Sequence, residues 1–249
     1  IEVLKKKLNF IKGIKLQYGS INIPKLYEKI KFLKGKDKEI IINITSYTID
    51  EIRVIHRQYS NISKNITLQF GFQNYPTKFE NLCFNKIKFL KKIFKKCKIS
   101  FAEHLSFDNR YTKSLYLLMN DFKIDQLEKH FCLDRSLSNY DYQSALTISE
   151  FQKNLKIKKK NKKLKKLKKK IIKETKKKFL INKIEIDLKK IFSSHLVFNK
   201  NLKSNEYISS DDIDGKRSVP ITAESASIET LNEMFFKKKK IVKKNDPIK

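Results

Sequence analysis

Short apolar runs alternate with amphipathic stretches from about residue 14 to residue 155, and this alternation constrains the fold more than any other feature. Strands are predicted at residues 14–18, 40–44, 66–70, 97–101 and 124–130. Helices are predicted at residues 25–33, 49–58, 82–94, 112–120 and 149–155. Ser149 is the predicted N-cap of the last helix. Strands separated by helices indicate parallel βα units, so the pattern predicts an α/β fold.

The chain is strongly basic, with 57 lysine and arginine residues, 26 aspartate and glutamate residues and a formal net charge of +31. Such a charge first suggests nucleic acid or an anionic membrane as partner. Lysine supplies nearly all of it, whereas nucleic-acid sites rely on the arginine fork. Lysine, isoleucine and asparagine are abundant and glycine and proline are scarce, which is typical of an A+T-rich genome. We therefore expect neither partner, with a polybasic anion-binding segment as the alternative.

Three scattered cysteines, Cys83, Cys97 and Cys132, are too few for a disulfide framework or a CxxC metal site. Thiols that stay unpaired are typical of a reducing compartment. No apolar run approaches the length of about 18 residues that spans a membrane, and no signal peptide is recognisable. These features predict a cytoplasmic protein.

The character of the sequence changes after residue 155. Residues 156–178 contain fifteen lysines, and like charges one helical turn apart oppose helix formation, so we expect a solvated helix and linker over 156–190. Residues 191–249 have short strand-like pieces and a weak repeat, in which 202–208 resembles 242–248 around a central asparagine. This part is predicted to be a small, mostly β module.

The run from Glu128 to Arg135 places carboxylate, ammonium and imidazole groups where an apolar strand ends. In α/β barrels, functional groups sit at that edge of the sheet. His104 and His130 are 26 residues apart, which is one strand-helix-strand step, so neighbouring parallel strands would present both imidazoles together. Such a pair can bind a divalent transition metal. A charged surface turn and incidental histidines are the alternatives.

A second polar segment, Asn74-Tyr75-Pro76-Thr77, follows the predicted strand at residues 66–70. Proline holds the residue before it in an extended conformation. The Asn74 amide would then point from a fixed loop into a pocket. A capping turn before the next helix is the alternative.

These segments resemble the N-acetylneuraminate synthase family, which comprises the sialic acid synthases and their legionaminate and pseudaminate relatives. The family's last barrel strand reads EKHFTLDR, which matches residues 128–135 with Cys132 in place of threonine. Its NYPT segment matches residues 74–77, and its GFSDHT segment corresponds to residues 100–105. The KRP segment of its C-terminal SAF, or antifreeze-like, domain corresponds to residues 216–218.

The resemblance implies a partial (β/α)8 TIM barrel, strands four to eight, followed by a small, mostly β SAF domain of β-clip type. Residues 1–155 would be the C-terminal part of the barrel, 156–190 the lysine-rich helix and linker, and 191–249 the SAF domain. Strands one to three would be absent. Because five strands cannot close a barrel, we expect this chain by itself to be poorly soluble and inactive.

The resemblance also implies a metal-dependent condensation of phosphoenolpyruvate with an N-acetylated hexose such as N-acetylmannosamine. The enol carbon attacks the sugar aldehyde, water attacks the oxocarbenium carbon, and phosphate leaves. His104 and His130 would hold Mn²⁺, or Mg²⁺ or Co²⁺. Glu128 and Asp141 would contact the sugar. The remaining substrate contacts would come from Asn43, Asn74, Tyr75 and, across a domain-swapped homodimer, Arg217.

Several positions depart from the family pattern. The family's S-T-G after the fifth strand is here Asn43-Ile44-Thr45, which removes a phosphate-binding hydroxyl and a glycine. Glu103 replaces an aspartate and Tyr142 replaces a histidine. A decayed synthase that binds sugar or acts as a scaffold without turnover is therefore the alternative function.

Overall fold

The computed structural model describes residues 2–71, 76–109, 111–112, 116, 121–156, 161–174, 181, 185–187, 189, 194–201 and 208–216. Strands β1 to β6 follow one another in sequence order across one sheet, and β7 and β8 form a separate two-stranded sheet. The chain divides into two compact units. One comprises Ile1–Ile42, Thr48–Asn65 and Ile186–Lys249, and the other comprises Asn43–Tyr47 and Ile66–Glu185. The α/β class predicted from the alternation is confirmed.

The first unit contains one parallel strand pair and the helices that follow its strands. Its elements are α1 (Glu2–Lys6), β1 (Gly13–Leu16), α2 (Pro24–Ile30), most of β2 (Glu39–Asn43), α3 (Ile49–Ser60), β7 (His195–Phe198) and β8 (Ile213–Lys216). Strand β1 pairs with β2 in parallel, and β7 pairs with β8 antiparallel. The fully buried ring of Tyr59 lies in the core of this unit, where its hydroxyl donates to the Ile21 carbonyl at 2.8 Å.

The second unit contains the strands that carry the polar cluster. Its elements are β3 (Ile66–Phe70), α4 (Asn85–Ile93), β4 (Lys98–Glu103), β5 (Gln126–Phe131), β6 (Ala145–Leu146), α5 (Ile148–Leu155) and α6 (Asn161–Glu174). All three strand pairs, β3 with β4, β4 with β5 and β5 with β6, are parallel. Every residue of β3 is buried, whereas β5 is only half-buried. The register pairs Ser100 with Gln126 and Glu103 with Lys129, which brings the polar ends of β4 and β5 together.

Two details of the sequence prediction were wrong. Strand β6 was missed, because two residues are too few to establish a period, and it forms only through pairing with His130 and Phe131. Helix α5 begins at Ile148 with Thr147 as its N-cap, where Ser149 was predicted. The sequence contains a Thr-x-x-Glu pattern at this position, and the reciprocal bonds of Thr147 and Glu150 form a capping box.

Residues 161–174 of the lysine-rich segment form α6, and Ile171 within this helix is fully buried despite the charge around it. Several predictions fall wholly or largely outside the described residues, namely the helix at 112–120, both copies of the repeat, Asn74, Tyr75 and Arg217. The domain boundaries at 155 and 190 and the SAF domain stay predictions. Among the described helices, none has the length and apolar character needed to cross a membrane.

Candidate active site

A buried hydrogen-bond network links one face of the three neighbouring strands β3, β4 and β5. The Gln69 amide donates at 3.2 Å to both Ser100 Oγ and Glu128 Oε2. Gln69 and Ser100 are almost completely buried, and Glu128 is half-buried. Side chains two apart in a strand share a face, so His130 lies on the same face as Glu128. The network therefore fixes the Glu128 carboxylate on the face of β5 that also carries His130.

The two imidazoles lie together, as the 26-residue spacing predicted. The ring centroids of His104 and His130 are 5.2 Å apart, with an angle of 45° between the ring planes. His104, just after β4, is buried, and the side chain of His130, near the end of β5, is 34% exposed. One ring is thus fixed in the protein while the other borders solvent, which is the arrangement of an accessible site.

The backbone of His104 is held by two contacts. Its carbonyl accepts hydrogen bonds from the Thr77 N–H at 2.7 Å and from Ser144 Oγ at 2.8 Å. Thr77 and Ser144 are both buried and come from different loops. Because sequence reasoning looked for side-chain chemistry, it had no signal for this support of the backbone.

Asp141 lies beside the imidazole pair, since its Oδ2 is 3.9 Å from His130 Nδ1. Its backbone is left-handed, with φ of 53°, and its carbonyl accepts from the Ser144 N–H at 3.0 Å. Its side chain is 42% exposed, so the carboxylate is open to a ligand. The structure therefore brings four of the predicted site residues together, namely His104, Glu128, His130 and Asp141.

A buried ion pair lies directly beside the two histidines in sequence. Glu103 Oε2 is 2.6 Å from Lys129 Nζ, and both side chains are almost completely buried. Lys129 also donates to the Leu105 carbonyl at 3.0 Å, and the Leu105 N–H donates to Glu103 Oε1 at 2.5 Å. Burial raises the pKa of Glu103, and the ammonium of Lys129 opposes that rise. The residue that departs from the family's aspartate therefore anchors the strand ends.

Arg135, the last residue of the cluster, holds the loop that follows β5. Its guanidinium carbon lies 3.7 Å from the centroid of the Phe107 ring. It donates to the Ala145 carbonyl at 3.1 Å and forms an ion pair with Glu150. These contacts make Arg135 a structural residue of the site rather than a substrate ligand.

Asn43 ends β2 and is buried. Its Oδ1 accepts from the Thr45 N–H at 3.0 Å, and Thr45 Oγ1 donates to the Gly71 carbonyl at 2.6 Å. The next residue, Ser46, is buried with φ of 69°, and its hydroxyl has no hydrogen-bond partner among the residues that the structure describes. The segment that replaces S-T-G is thus a tight turn, in which the Asn43 side chain accepts a hydrogen bond from the backbone of the turn.

The imidazoles of His104 and His130 are close enough together that both could reach one metal ion. Two imidazoles bound to one ion through nitrogens at about 2.1 Å place their ring centres about 5 Å apart. The observed 5.2 Å agrees with that geometry. The described residues contain no group of three or more His, Cys, Asp or Glu side chains that could hold a metal ion. A divalent ion here would complete its coordination with water or substrate, as catalytic sites with open positions do.

Comparison with known proteins identifies the family. A sequence model of the NeuB family matches residues 6–171. The chain belongs to the NeuB family. No curated protein matches the sequence of this NeuB-family chain.

Solved structures resemble this NeuB-family chain in fold. The spore coat polysaccharide biosynthesis protein spsE of Bacillus subtilis is 16% identical, with a TM-score of 0.76, over 100% of this chain and 68% of that chain. The spore coat polysaccharide biosynthesis protein E of Chromobacterium violaceum is 15% identical, with a TM-score of 0.51, over 99% of this chain and 68% of that chain. At these identities the similarity concerns the fold alone.

The NeuB match contains the whole described site, from Asn43 to Asp141, while Arg217 lies beyond it. Sequence reasoning missed Gln69, Ser100 and Ser144, and it assigned no role to Lys129. Gln69 and Ser100 are polar residues that each lie between two apolar residues within their strands. That interruption of the apolar pattern is the signal that could have identified them.

Proposed function

We propose that this chain supplies the metal-binding part of a sialic-acid-type synthase. The reaction condenses phosphoenolpyruvate with an N-acetylated hexose such as N-acetylmannosamine to give a nonulosonic acid. The observation that carries the proposal is the pairing of the His104 and His130 imidazoles, 5.2 Å apart, with the Asp141 carboxylate beside His130. Family membership supports the class of reaction.

The residues of the candidate active site each have a role in this proposal. His104 and His130 hold Mn²⁺, or Mg²⁺ or Co²⁺, and a bound ion of this kind polarises an aldehyde and orients water. Glu128 and Asp141 accept hydrogen bonds from the sugar hydroxyls. The Gln69 amide fixes the direction of the Glu128 carboxylate, so that no reorientation is needed when the sugar binds.

The other substrate contacts are proposed from the resemblance. Asn74 binds phosphoenolpyruvate, Asn43 donates to its phosphate, and Tyr75 is a further substrate contact. Arg217 reaches the N-acetylated sugar across a domain-swapped homodimer, in which the SAF domain of one subunit covers the barrel of the other. We place this chemistry in the cytoplasm.

A binding protein without turnover is the second candidate, and the Asn43 turn favours it. Asn43 replaces the serine whose hydroxyl would bind phosphate, and its Oδ1 accepts from the Thr45 N–H within the turn. Sugar binding through Glu128 and Asp141 would survive this change, whereas the affinity for phosphoenolpyruvate would fall.

A metal-binding experiment tests the proposed role of His104 and His130 as metal ligands. Titration of Mn²⁺ followed by its electron paramagnetic resonance signal is expected to give one site per chain. His104→Ala and His130→Ala are each expected to abolish that site. His56→Ala is the matched control, because His56 lies on α3 at hydrogen-bond distance, 3.4 Å, from Ser60 and outside the site. Equal Mn²⁺ binding by the wild type and by the His104→Ala/His130→Ala double variant would overturn the assignment.

Turnover separates the two candidates. Phosphate release is measured with phosphoenolpyruvate, Mn²⁺ and N-acetylmannosamine, with the chain alone and with a polypeptide that supplies the other strands of a barrel. Release that depends on His104 and His130 supports the synthase. Mn²⁺ and sugar binding without phosphate release in either setting supports the binding protein.

A further inference from the structure

A basic groove lies between α4 and α6, and no residue of the candidate active site contributes to it. Two neighbouring cavities of about 440 and 390 Å³ make up this groove. Both are lined by Asn85 and Lys88 of α4 and by Ile172 of α6. Cavities of roughly 300 to 1,000 Å³ are the size that holds small organic ligands.

The floor of the groove is apolar. It is formed by the residue that precedes α4, by α4 and α6, and by the segment before β5; the side chains are Phe84, Ile87, Ile172 and Phe122. Phe84 and Phe122 stack on each other with ring centroids 4.6 Å apart, and both are buried. Phe89, at the wider end, is 45% exposed. The apolar surface that a ligand can reach is therefore that of Phe89 and Ile172, and the buried Phe84 and Phe122 rings support it from beneath.

The rim of the groove is a concentration of positive charge. Lys91 is paired with Asp125 at 2.6 Å, and Lys168 donates to the Asp121 carbonyl at 2.9 Å. Four further lysines line the two cavities, and within the described part of the chain their ammonium groups have no hydrogen bond or ion pair; they are Lys88, Lys123, Lys169 and Lys173.

These lysines face almost no compensating charge. Among the described residues that line the two cavities, Asp121 is the one acidic residue. Neighbouring like charges repel each other, and an anion placed among them would relieve that repulsion. The rim of the groove thus favours a negatively charged ligand, whereas its floor favours an apolar one.

We propose that the basic groove binds a monomeric amphipathic anion, with its alkyl chain on the phenylalanine and isoleucine floor and its anionic head among the unpaired lysines. A flat bilayer does not reach a concave floor, so a single chain fits better than a membrane surface. A nucleic acid fits less well, because the described residues that line the groove include no arginine to form bidentate contacts.

The test uses dodecanoate below its micelle concentration, with binding to the full chain measured by titration calorimetry. The variant Lys88→Glu/Lys169→Glu is expected to weaken binding about tenfold or more, because it reverses two rim charges. Lys36→Glu/Lys64→Glu is the matched control, since it changes the net charge equally at two exposed lysines of the other unit. An equal loss of affinity in both double variants would overturn the proposal, because it would indicate a general effect of charge.

Two more ligands test the two halves of the groove. Inorganic phosphate is expected to bind far more weakly than dodecanoate, and equal binding would show that the apolar floor contributes nothing. Phosphatidylglycerol vesicles that bind while dodecanoate does not would indicate a membrane surface and overturn the proposal. Ile172→Ala is expected to weaken dodecanoate binding while Mn²⁺ binding at His104 and His130 is unchanged, which separates this site from the candidate active site.

Discussion

Among the described ion pairs, the one between Glu103 and Lys129 is the most deeply buried. Both side chains are almost fully buried, so each charge has lost its hydration and depends on the other. Each residue directly precedes a histidine of the imidazole pair, and the two face each other in the register of β4 and β5. The ion pair therefore holds the two histidines at the same level of the sheet.

Removing one member of this pair should be far more damaging than removing both. Lys129→Met leaves the Glu103 carboxylate buried without its counter-charge, which typically costs about 3 to 5 kcal/mol. Glu103→Leu/Lys129→Met leaves no buried charge, so its loss of stability should be smaller. Urea unfolding of the wild type, Lys129→Met, Glu103→Leu and the double variant measures these differences in the free energy of unfolding. Additive losses in the double variant would contradict the interpretation.

The pH dependence of Lys129→Met follows from the same burial. Burial raises the pKa of Glu103 in the folded state, and the variant removes the ammonium that opposes the rise. A raised carboxyl pKa favours folding when the group is protonated, so that contribution is present below the ordinary glutamate pKa and is lost as the pH rises through the folded one. We expect Lys129→Met to lose more stability relative to wild type at neutral than at acidic pH, measured by urea unfolding at both.

At the scale of single elements, α5 depends on how its first turn is capped. Thr147 Oγ1 accepts from the Glu150 N–H, and Glu150 Oε2 accepts from the Thr147 N–H at 2.9 Å. The same carboxylate pairs with Arg135, which also donates to the Ala145 carbonyl in β6. The start of the helix, the short strand and the loop after β5 are therefore held by one group of contacts.

Thr147→Ala is expected to destabilise the protein by about 1 kcal/mol, the usual cost of losing an N-cap side chain. Ser149→Ala is the matched control, since the Ser149 hydroxyl contacts only the Thr147 hydroxyl, at 3.2 Å, among the contacts of this turn. Thermal and urea unfolding of the two variants measure the difference. A larger loss for Ser149→Ala would show that the cap had been assigned to the wrong residue.

Glu150 also predicts an acid sensitivity. Partial burial opposes its ionisation, but the Arg135 guanidinium and the Thr147 donors outweigh this and hold its pKa below the ordinary value. A lowered carboxyl pKa stabilises the fold above the ordinary glutamate pKa, and that contribution is lost as the pH falls through the folded one. Relative to wild type, Glu150→Gln should lose less stability between about pH 5 and pH 3. An identical acid dependence of both proteins would contradict this.

Across the whole molecule, a net charge of +31 produces long-range repulsion that no single ion pair removes. Added salt shortens the range of this repulsion to about 8 Å at physiological ionic strength. We expect the midpoint of thermal unfolding to rise as sodium chloride is added. Glycerol at matched osmolality controls for non-ionic solvent effects, and a falling midpoint in salt would show that specific ion pairs outweigh the net repulsion.

The sequence by itself determined the alternation of strands and helices and the position of the histidine pair. These features depend on local periodicity and on the regular length of a βα step, which a single chain displays without knowledge of its contacts. Helix α6 lies within the predicted lysine-rich helix and linker, and the burial of its Ile171 was not predicted.

Only the tertiary structure decided which polar groups meet. Gln69, Ser100 and Glu128 lie in three different strands, and hydrogen bonds join their side chains. These bonds depend on the register in which the strands pair, and the alternation of residues along one strand does not specify that register. The two-residue strand β6 exists only through pairing with β5. The ion pair of Glu103 with Lys129 likewise could not be predicted from the sequence. The energy of a charge pair depends far more on distance and burial than on residue type, and only the tertiary structure sets these two quantities.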